Sequence, residues 1–123
     1  MSRALGITAA AFAAAGVMLG AFAAHALRGR IDDAALQIWH TAVEYQMWHA
    51  LALLCVSAMQ LRAAHALRVC AIAFVVGIVL FCGSLYALAL GAPRWFGMLT
   101  PVGGVALIAG WVALGAGLLR RDT

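Results

Sequence analysis

The side chains able to do chemistry gather in one stretch, Gln37-Ile38-Trp39-His40-Thr41-Ala42-Val43-Glu44-Tyr45-Gln46-Met47-Trp48-His49. On a helix turning about 100° per residue, Asp33, Gln37, His40, Thr41, Glu44 and Trp48 share one face, while Tyr45, Gln46, His49, Ser57 and Gln60 share another. His40 stands four residues before Glu44 on the first face, the spacing at which a helical pair can exchange a proton or form an ion pair. His25 lies a short hairpin away, so His25, His40, Glu44 and His49 could compose a proton relay or a metal site. The ligand set is thin for a metal: there is no Glu-x-x-His, no His-Glu-x-x-His and no second carboxylate within the apolar segments. The reading preferred for the three histidines is therefore a hydrogen-bond network that fixes helix register, with Glu44 balanced between that role and a functional one. Ser84 and Tyr86 can join such a network from a later helix, and Ser84 beside Gly83 reads as a packing site more than a nucleophile. The candidate intramembrane cluster is thus His25, His40, Glu44, Tyr45, Gln46, His49, Ser84 and Tyr86. No catalytic residue is assigned, and no metal or cofactor is expected.

The elements that must carry these residues follow from composition. Of 123 residues 67% are hydrophobic and only 10% charged, with 8 basic and 4 acidic side chains, against roughly 25% charged in soluble domains. Charge-free runs extend from Ala4 to Leu27, Tyr45 to Leu61, Val69 to Pro93 and Trp95 to Leu119. A run of about 24 residues makes a helix about 36 Å long, enough to cross a hydrocarbon core of about 30 Å. The second run is shorter and must extend backwards through Glu44 to reach that length. Asp32 and Asp33 can cap such an extended helix, and Trp39 would then lie at headgroup level. The fold class expected is an all-α integral membrane protein, a four-transmembrane-helix bundle of one domain. Its helices are expected at about 5–27, 33–61, 69–91 and 101–119, the last with Thr100 as cap and Pro101 in the first turn. Too little chain remains for an extramembrane domain, which excludes soluble enzymes, nucleic-acid binders and secreted disulfide scaffolds.

The net charge of +4 reflects anchoring and not a nucleic-acid patch. All eight bases are Arg and every one flanks an apolar run: Arg3, Arg28, Arg30, Arg62, Arg68, Arg94, Arg120 and Arg121. Counting them by loop places both termini in the cytoplasm, although Arg28 and Arg30 pull the other way. A signal peptide ending near Ala24-His25-Ala26 ranks second to a retained first helix, because the apolar run is long and its glycines are spaced for packing. His65 reads as a solvent-side loop residue. Cys55, Cys70 and Cys82 lie inside apolar runs without the spacing of a zinc or redox pair, so they read as packing residues.

Small residues recur every three or four positions on three helices, which lets backbones approach closely where lipid provides no hydrophobic drive. The glycines expected to pack are Gly16 and Gly20, a GxxxG pair, with Gly77 and Gly83, then Gly103, Gly110 and Gly117.

Several segments resemble one family in order along nearly the whole chain: Gly20-Ala21-Phe22-Ala23-Ala24-His25-Ala26-Leu27, then Trp39 with Thr41-Ala42, and Tyr45-Gln46 leading into His49-Ala50-Leu51-Ala52-Leu53-Leu54. Phe81 to Tyr86, Thr100-Pro101-Val102-Gly103-Gly104 and Gly110-Trp111 continue the pattern. The chain resembles the YgdD-like family of small bacterial inner-membrane proteins, a domain of unknown function with small transmembrane relatives in animals. Ala23 stands where that family usually has Gly, and Cys82 where Ser is frequent. The resemblance implies a four-helix protein of the bacterial inner membrane and supplies no reaction. The function expected is that of a non-enzymatic accessory, scaffold or lipid-associated protein. Its partners would be membrane lipids, a larger membrane complex or a second copy. The alternative is a small carrier or proton-coupled protein using Glu44 with His40 and His25.

Overall fold

The computed structural model describes residues 3–59 and 64–120. Helix α1 spans Arg3–Phe22 and runs on through a wider, π-type turn at Ala23–Leu27. Gly29, at φ +84°, then reverses the chain, a conformation that glycine adopts without a Cβ penalty. Asp32 closes the hairpin by accepting a 2.7 Å hydrogen bond from the Ala35 amide, so α2 begins at Asp33 on a capped first turn and reaches Ala58.

A single rod follows, made of α3 (Ala64–Gly77), a π-type segment at Ile78–Cys82 and α4 (Gly83–Ala89). It stops at a glycine cap: Gly91, at φ +91°, bonds to the Leu88 carbonyl, and the Ala92 amide reaches back to Ala87 at 3.0 Å. A 3₁₀ turn at Arg94–Met98 leads into α5, Leu99–Leu119.

These bounds differ from expectation in three places. Helix α2 gives way to extended backbone at Met59, while Gln60 and Leu61 lie outside the described residues. The third helix starts at Ala64, five residues early, because Arg68 can sit on the helix without ending it. Thr100 is not a cap. It lies inside α5, and its hydroxyl is used elsewhere.

Helix α1 packs on α2, α3 and the π-type segment pack on α5, and α4 packs on α2. The pairs are antiparallel: Gly6 faces Ser57, Gly16 faces Met47 and Gly20 faces Val43, while Gly110 faces Phe74 and Gly103 faces Phe81. Helix α2 is therefore the central member, although it is the least apolar. The main core joins Ala9, Ala42, Leu53, Val56, Cys70, Phe74, Ile78, Cys82, Leu107 and Leu114, and a smaller cluster of Ala23, Leu27, Trp39 and Ala89 closes the end near the first loop.

The glycine stripes mark the close approaches unevenly. A Cβ on Gly77 would collide with Leu107, one on Gly103 with the backbone of Phe81, and one on Gly16 with the end of Met47. Gly20 makes only ordinary contact with Val43, and Gly117 is buried on α5. Gly83 does not pack at all: it is exposed and nothing lies within 4 Å of where its Cβ would be. It stands six residues after Gly77, off the line on which Gly77 and the buried Ser84 lie seven apart.

Three segments, Arg3–Leu27, Ala64–Ala89 and Arg94–Leu119, are long and apolar enough to cross a membrane. Their outer surfaces carry large apolar side chains such as Val17, Ile72, Val79, Val105 and Ile108, which stay exposed on the folded chain. In water such a surface would be a large apolar liability, whereas in hydrocarbon it is at rest.

Candidate functional site

The two polar faces of α2 meet different surroundings. The face with Gln46 and His49 turns inward. Gln46 is only 4% exposed. Its Nε2 donates to the Phe12 carbonyl of α1 at 2.8 Å, and its Oε1 accepts from the Tyr86 hydroxyl of α4 at 2.7 Å. One amide thereby ties three helices together, which suits Gln because it carries both donors and an acceptor. His49, 5% exposed, places Nδ1 2.7 Å from the Tyr45 carbonyl, and its Nε2 lies 3.1 Å from the Trp111 indole nitrogen of α5. An indole N–H can only donate, so Nε2 accepts and the ring proton resides on Nδ1, where it bonds to Tyr45. The ring is thus a neutral imidazole with both nitrogens occupied. Phe74 packs edge-on against it at 5.3 Å, and Phe74 and Trp111 meet at 5.1 Å.

Trp39 extends this inner set. It is buried, with its indole nitrogen 2.9 Å from the Leu19 carbonyl, and Tyr86 lies edge-on to it at 4.6 Å. The ring faces α1 and α4, where its N–H finds an acceptor inside the bundle, in the cluster that closes the end near the first loop. Ser84 bonds to the Phe81 carbonyl at 3.0 Å and lies 2.6 Å from the Thr100 hydroxyl, so the proton between the two hydroxyls comes from Thr100. This pair locks α4 to α5. Ser57 bonds to Leu54 on its own helix. No buried side-chain nitrogen or oxygen among the described residues lacks a partner. In hydrocarbon an unmatched polar group costs several kcal/mol, so these bonds set register wherever the helices meet.

The other face turns outward. Gln37, His40 and Glu44 are all exposed, and His25, on the π-type turn, is exposed as well. The expected interior meeting of His25, His40 and Glu44 therefore does not occur. Sequence spacing put His40 and Glu44 correctly on one face but could not say that this face points away from the bundle. Among the described residues, no three His, Cys, Asp or Glu side chains come together as a metal-holding group. The two faces of α2 thus divide the candidate cluster: Tyr45, Gln46 and His49 turn to the other helices, joined by Ser84 and Tyr86, while His25, His40 and Glu44 do not.

Depth makes the outer face unusual. The contacts of Gly16 with Met47 and Gly20 with Val43 place Glu44 level with the stretch between those glycines. The rod from Arg3 to Leu27 has its middle near Ala15, so at about 1.5 Å per residue Glu44, level with Leu19, lies about 6 Å from mid-height. An ionised carboxylate at the centre of a membrane helix costs on the order of 2.5–3.5 kcal/mol on insertion scales.

Between α2 and α5 a cleft of about 540 Å³ opens outward, lined by Tyr45, Trp48, His49, Phe81, Gly104, Leu107, Ile108 and Trp111. Its rim residues Trp48, Ile108 and Trp111 are exposed. Tyr45 lines it with its ring 5.1 Å from that of Trp48 and 4.7 Å from that of Phe81. Neither Trp111 as the partner of His49 nor the cleft was anticipated from sequence.

Comparison with known proteins adds family and class. The profile described as "Protein of unknown function (DUF423)" matches residues 19–104. The chain is 45% identical over 100 residues to the UPF0382 membrane protein YwdK of Bacillus subtilis, covering 80% of this chain and 81% of that one. It is 43% identical over 107 residues to a UPF0382 membrane protein of Haemophilus influenzae, covering 87% of this chain and 86% of that one. It is also 41% identical over 105 residues to the UPF0382 inner membrane protein YgdD of Escherichia coli, covering 85% and 80%. No solved structure matches the chain.

Proposed function

This chain belongs to the DUF423 family of membrane proteins, and from that premise we propose that it is a non-enzymatic, lipid-associated accessory protein of the bacterial inner membrane. All four long helical rods cross the bilayer. Helix α2 packs lengthwise and antiparallel against α1, whose own length and composition suit a span, so α2 shares its depth. The flanking arginines favour both termini in the cytoplasm. The inner-membrane placement draws on the name of the Escherichia coli relative.

The observation that carries the lipid-associated role is the cleft between α2 and α5. It opens through exposed rim residues toward the surroundings of the bundle, and its walls are aromatic and aliphatic. Its volume suits an apolar chain, and its polar interior neighbour His49 has both nitrogens already engaged. A lipid tail seated there would be held by contact with Tyr45, Trp48 and Phe81 and by shape. Among the described residues, Ser84 bonds to Phe81 and Thr100 and has no base with an orienting group beside it.

Gly104 provides the test. Its Cβ would meet Phe81 only at 3.7 Å and beyond, ordinary contact, so Gly104→Leu fills the cleft without straining the backbone. Native mass spectrometry after mild detergent extraction should show lipid retained by the wild type and lost by Gly104→Leu. Equal retention by both proteins would remove the proposal. The second reading, a proton-coupled carrier using Glu44 with His40 and His25, draws on the mid-depth position of Glu44. It requires Glu44→Gln to abolish a transport activity in vesicles.

A further inference from the structure

The outer face of α2 differs from the other outer surfaces of the bundle. On α3 and α5 the large exposed side chains are apolar, as at Val69, Ile72, Val102 and Val105. On α2 the exposed residues include Gln37, His40 and Glu44, and the register with α1 sets His40 and Glu44 at a depth where lipid tails offer them no hydrogen bond. They also carry a regular spacing. Gln37, Glu44 and Leu51 stand seven residues apart, and Thr41, Trp48 and Cys55 form a second seven-residue series beside them. Seven-residue series on adjoining positions make the seam along which two crossing helices stay in contact.

We propose that this face is the interface of a homodimer, in which α2 of one copy lies alongside α2 of a second copy and each His40 pairs with Glu44 of the other. The proposal rests on the reading that α2 crosses the membrane.

Three features favour a second copy of this chain over any other occupant. His40 and Glu44 are one helical turn apart on one face, so a two-fold axis along the membrane normal brings the basic group of each copy within side-chain reach of the acidic group of the other. The face is complementary in charge to itself, which is the requirement of an isologous contact. Beyond the polar turn, Trp48, Leu51 and Cys55 continue the seam as an apolar surface, so polar pairing at one end and apolar packing at the other share one line. Polar side chains on facing membrane helices act as such glue because lipid cannot satisfy them.

The test uses the intact chain in vesicles of bacterial lipid extract, with Cys55→Ala to remove the exposed native thiol. A Thr41→Cys variant should form a disulfide-linked dimer under mild oxidation, and Val112→Cys, exposed on α5, should not. With fluorophore-labelled protein diluted into lipid, Glu44→Leu should weaken dimerisation roughly tenfold or more, the effect of losing two interhelical polar pairs. The exchange His40→Glu with Glu44→His should restore it, since the pairing is reciprocal. A chain that stays monomeric at high protein-to-lipid ratio overturns the proposal, as does a dimer indifferent to Glu44→Leu or one that links through position 112. Cross-linking of position 41 to a different protein in place of a second copy also overturns it. Ready labelling of a Glu44→Cys variant by a membrane-impermeant maleimide would overturn both the dimer and the membrane depth of α2. Protection without dimerisation would overturn the dimer alone.

Discussion

The inner and outer faces of α2 are equally polar in sequence and opposite in their use. Inside, Gln46 and His49 distribute every hydrogen bond to α1, α4 and α5 or to their own helix, so α2 can sit at the centre of an apolar bundle. Outside, Gln37, His40 and Glu44 lie on the exposed side of the same helix. Polarity on a helix of an apolar bundle therefore has two meanings: spent on its own fold, or left for an encounter. The contact of Gln46 with three helices shows the first, and the depth of Glu44 points to the second.

The contrast can be broken at several points. The largest effect is expected at the tightest inner contact, where Gly103→Leu would drive a side chain into the backbone of Phe81. Overpacking there should destabilise the bundle by about 3 kcal/mol, read as a lower unfolding midpoint in an SDS titration. Next, Gln46→Leu deprives the Tyr86 hydroxyl of its acceptor and the Phe12 carbonyl of a donor. A loss of about 2 kcal/mol is expected in the same titration. His49→Leu should cost less, about 1 kcal/mol, because the group it strands, the indole N–H of half-exposed Trp111, lies nearer the surface. At the other extreme, Gly83→Ala meets open space in right-handed helical backbone. It should stabilise the protein by about 0.5 kcal/mol through helix propensity alone, an inversion of the result at Gly103 although the sequence reads both glycines as packing residues.

Much of this arrangement was legible in the residues. The long charge-free runs located the rods, and the period of the 37–49 segment separated its polar groups into two faces. What spacing could not supply was direction: with both faces polar, neither hydrophobic periodicity nor charge says which one meets the bundle. His40 and Glu44 were therefore expected inside on the strength of their mutual spacing. The acceptors of Trp39 and Trp111 escaped for a related reason, since spacing names no partner for an indole N–H, and the packed helices supply Leu19 and His49. Thr100 before Pro101 carried the signature of a cap, yet the 3₁₀ turn at Arg94–Met98 feeds directly into α5 and frees its hydroxyl for Ser84. Gly83 was expected to pack, yet the inward line runs through its neighbour Ser84. Local signatures failed where helix geometry departed from 3.6 residues per turn or where two helices had to meet.

The division of labour within α2 is tested most directly by comparing Gln46→Leu with Glu44→Leu, two neighbouring substitutions on opposite faces, by unfolding free energy in lipid dilute enough to keep the chain monomeric. Gln46→Leu should lose about 2 kcal/mol, while Glu44→Leu should hold its stability within about 0.5 kcal/mol of the wild type. A loss at Glu44 equal to that at Gln46 would contradict the account, because it would make the outer carboxylate part of the fold.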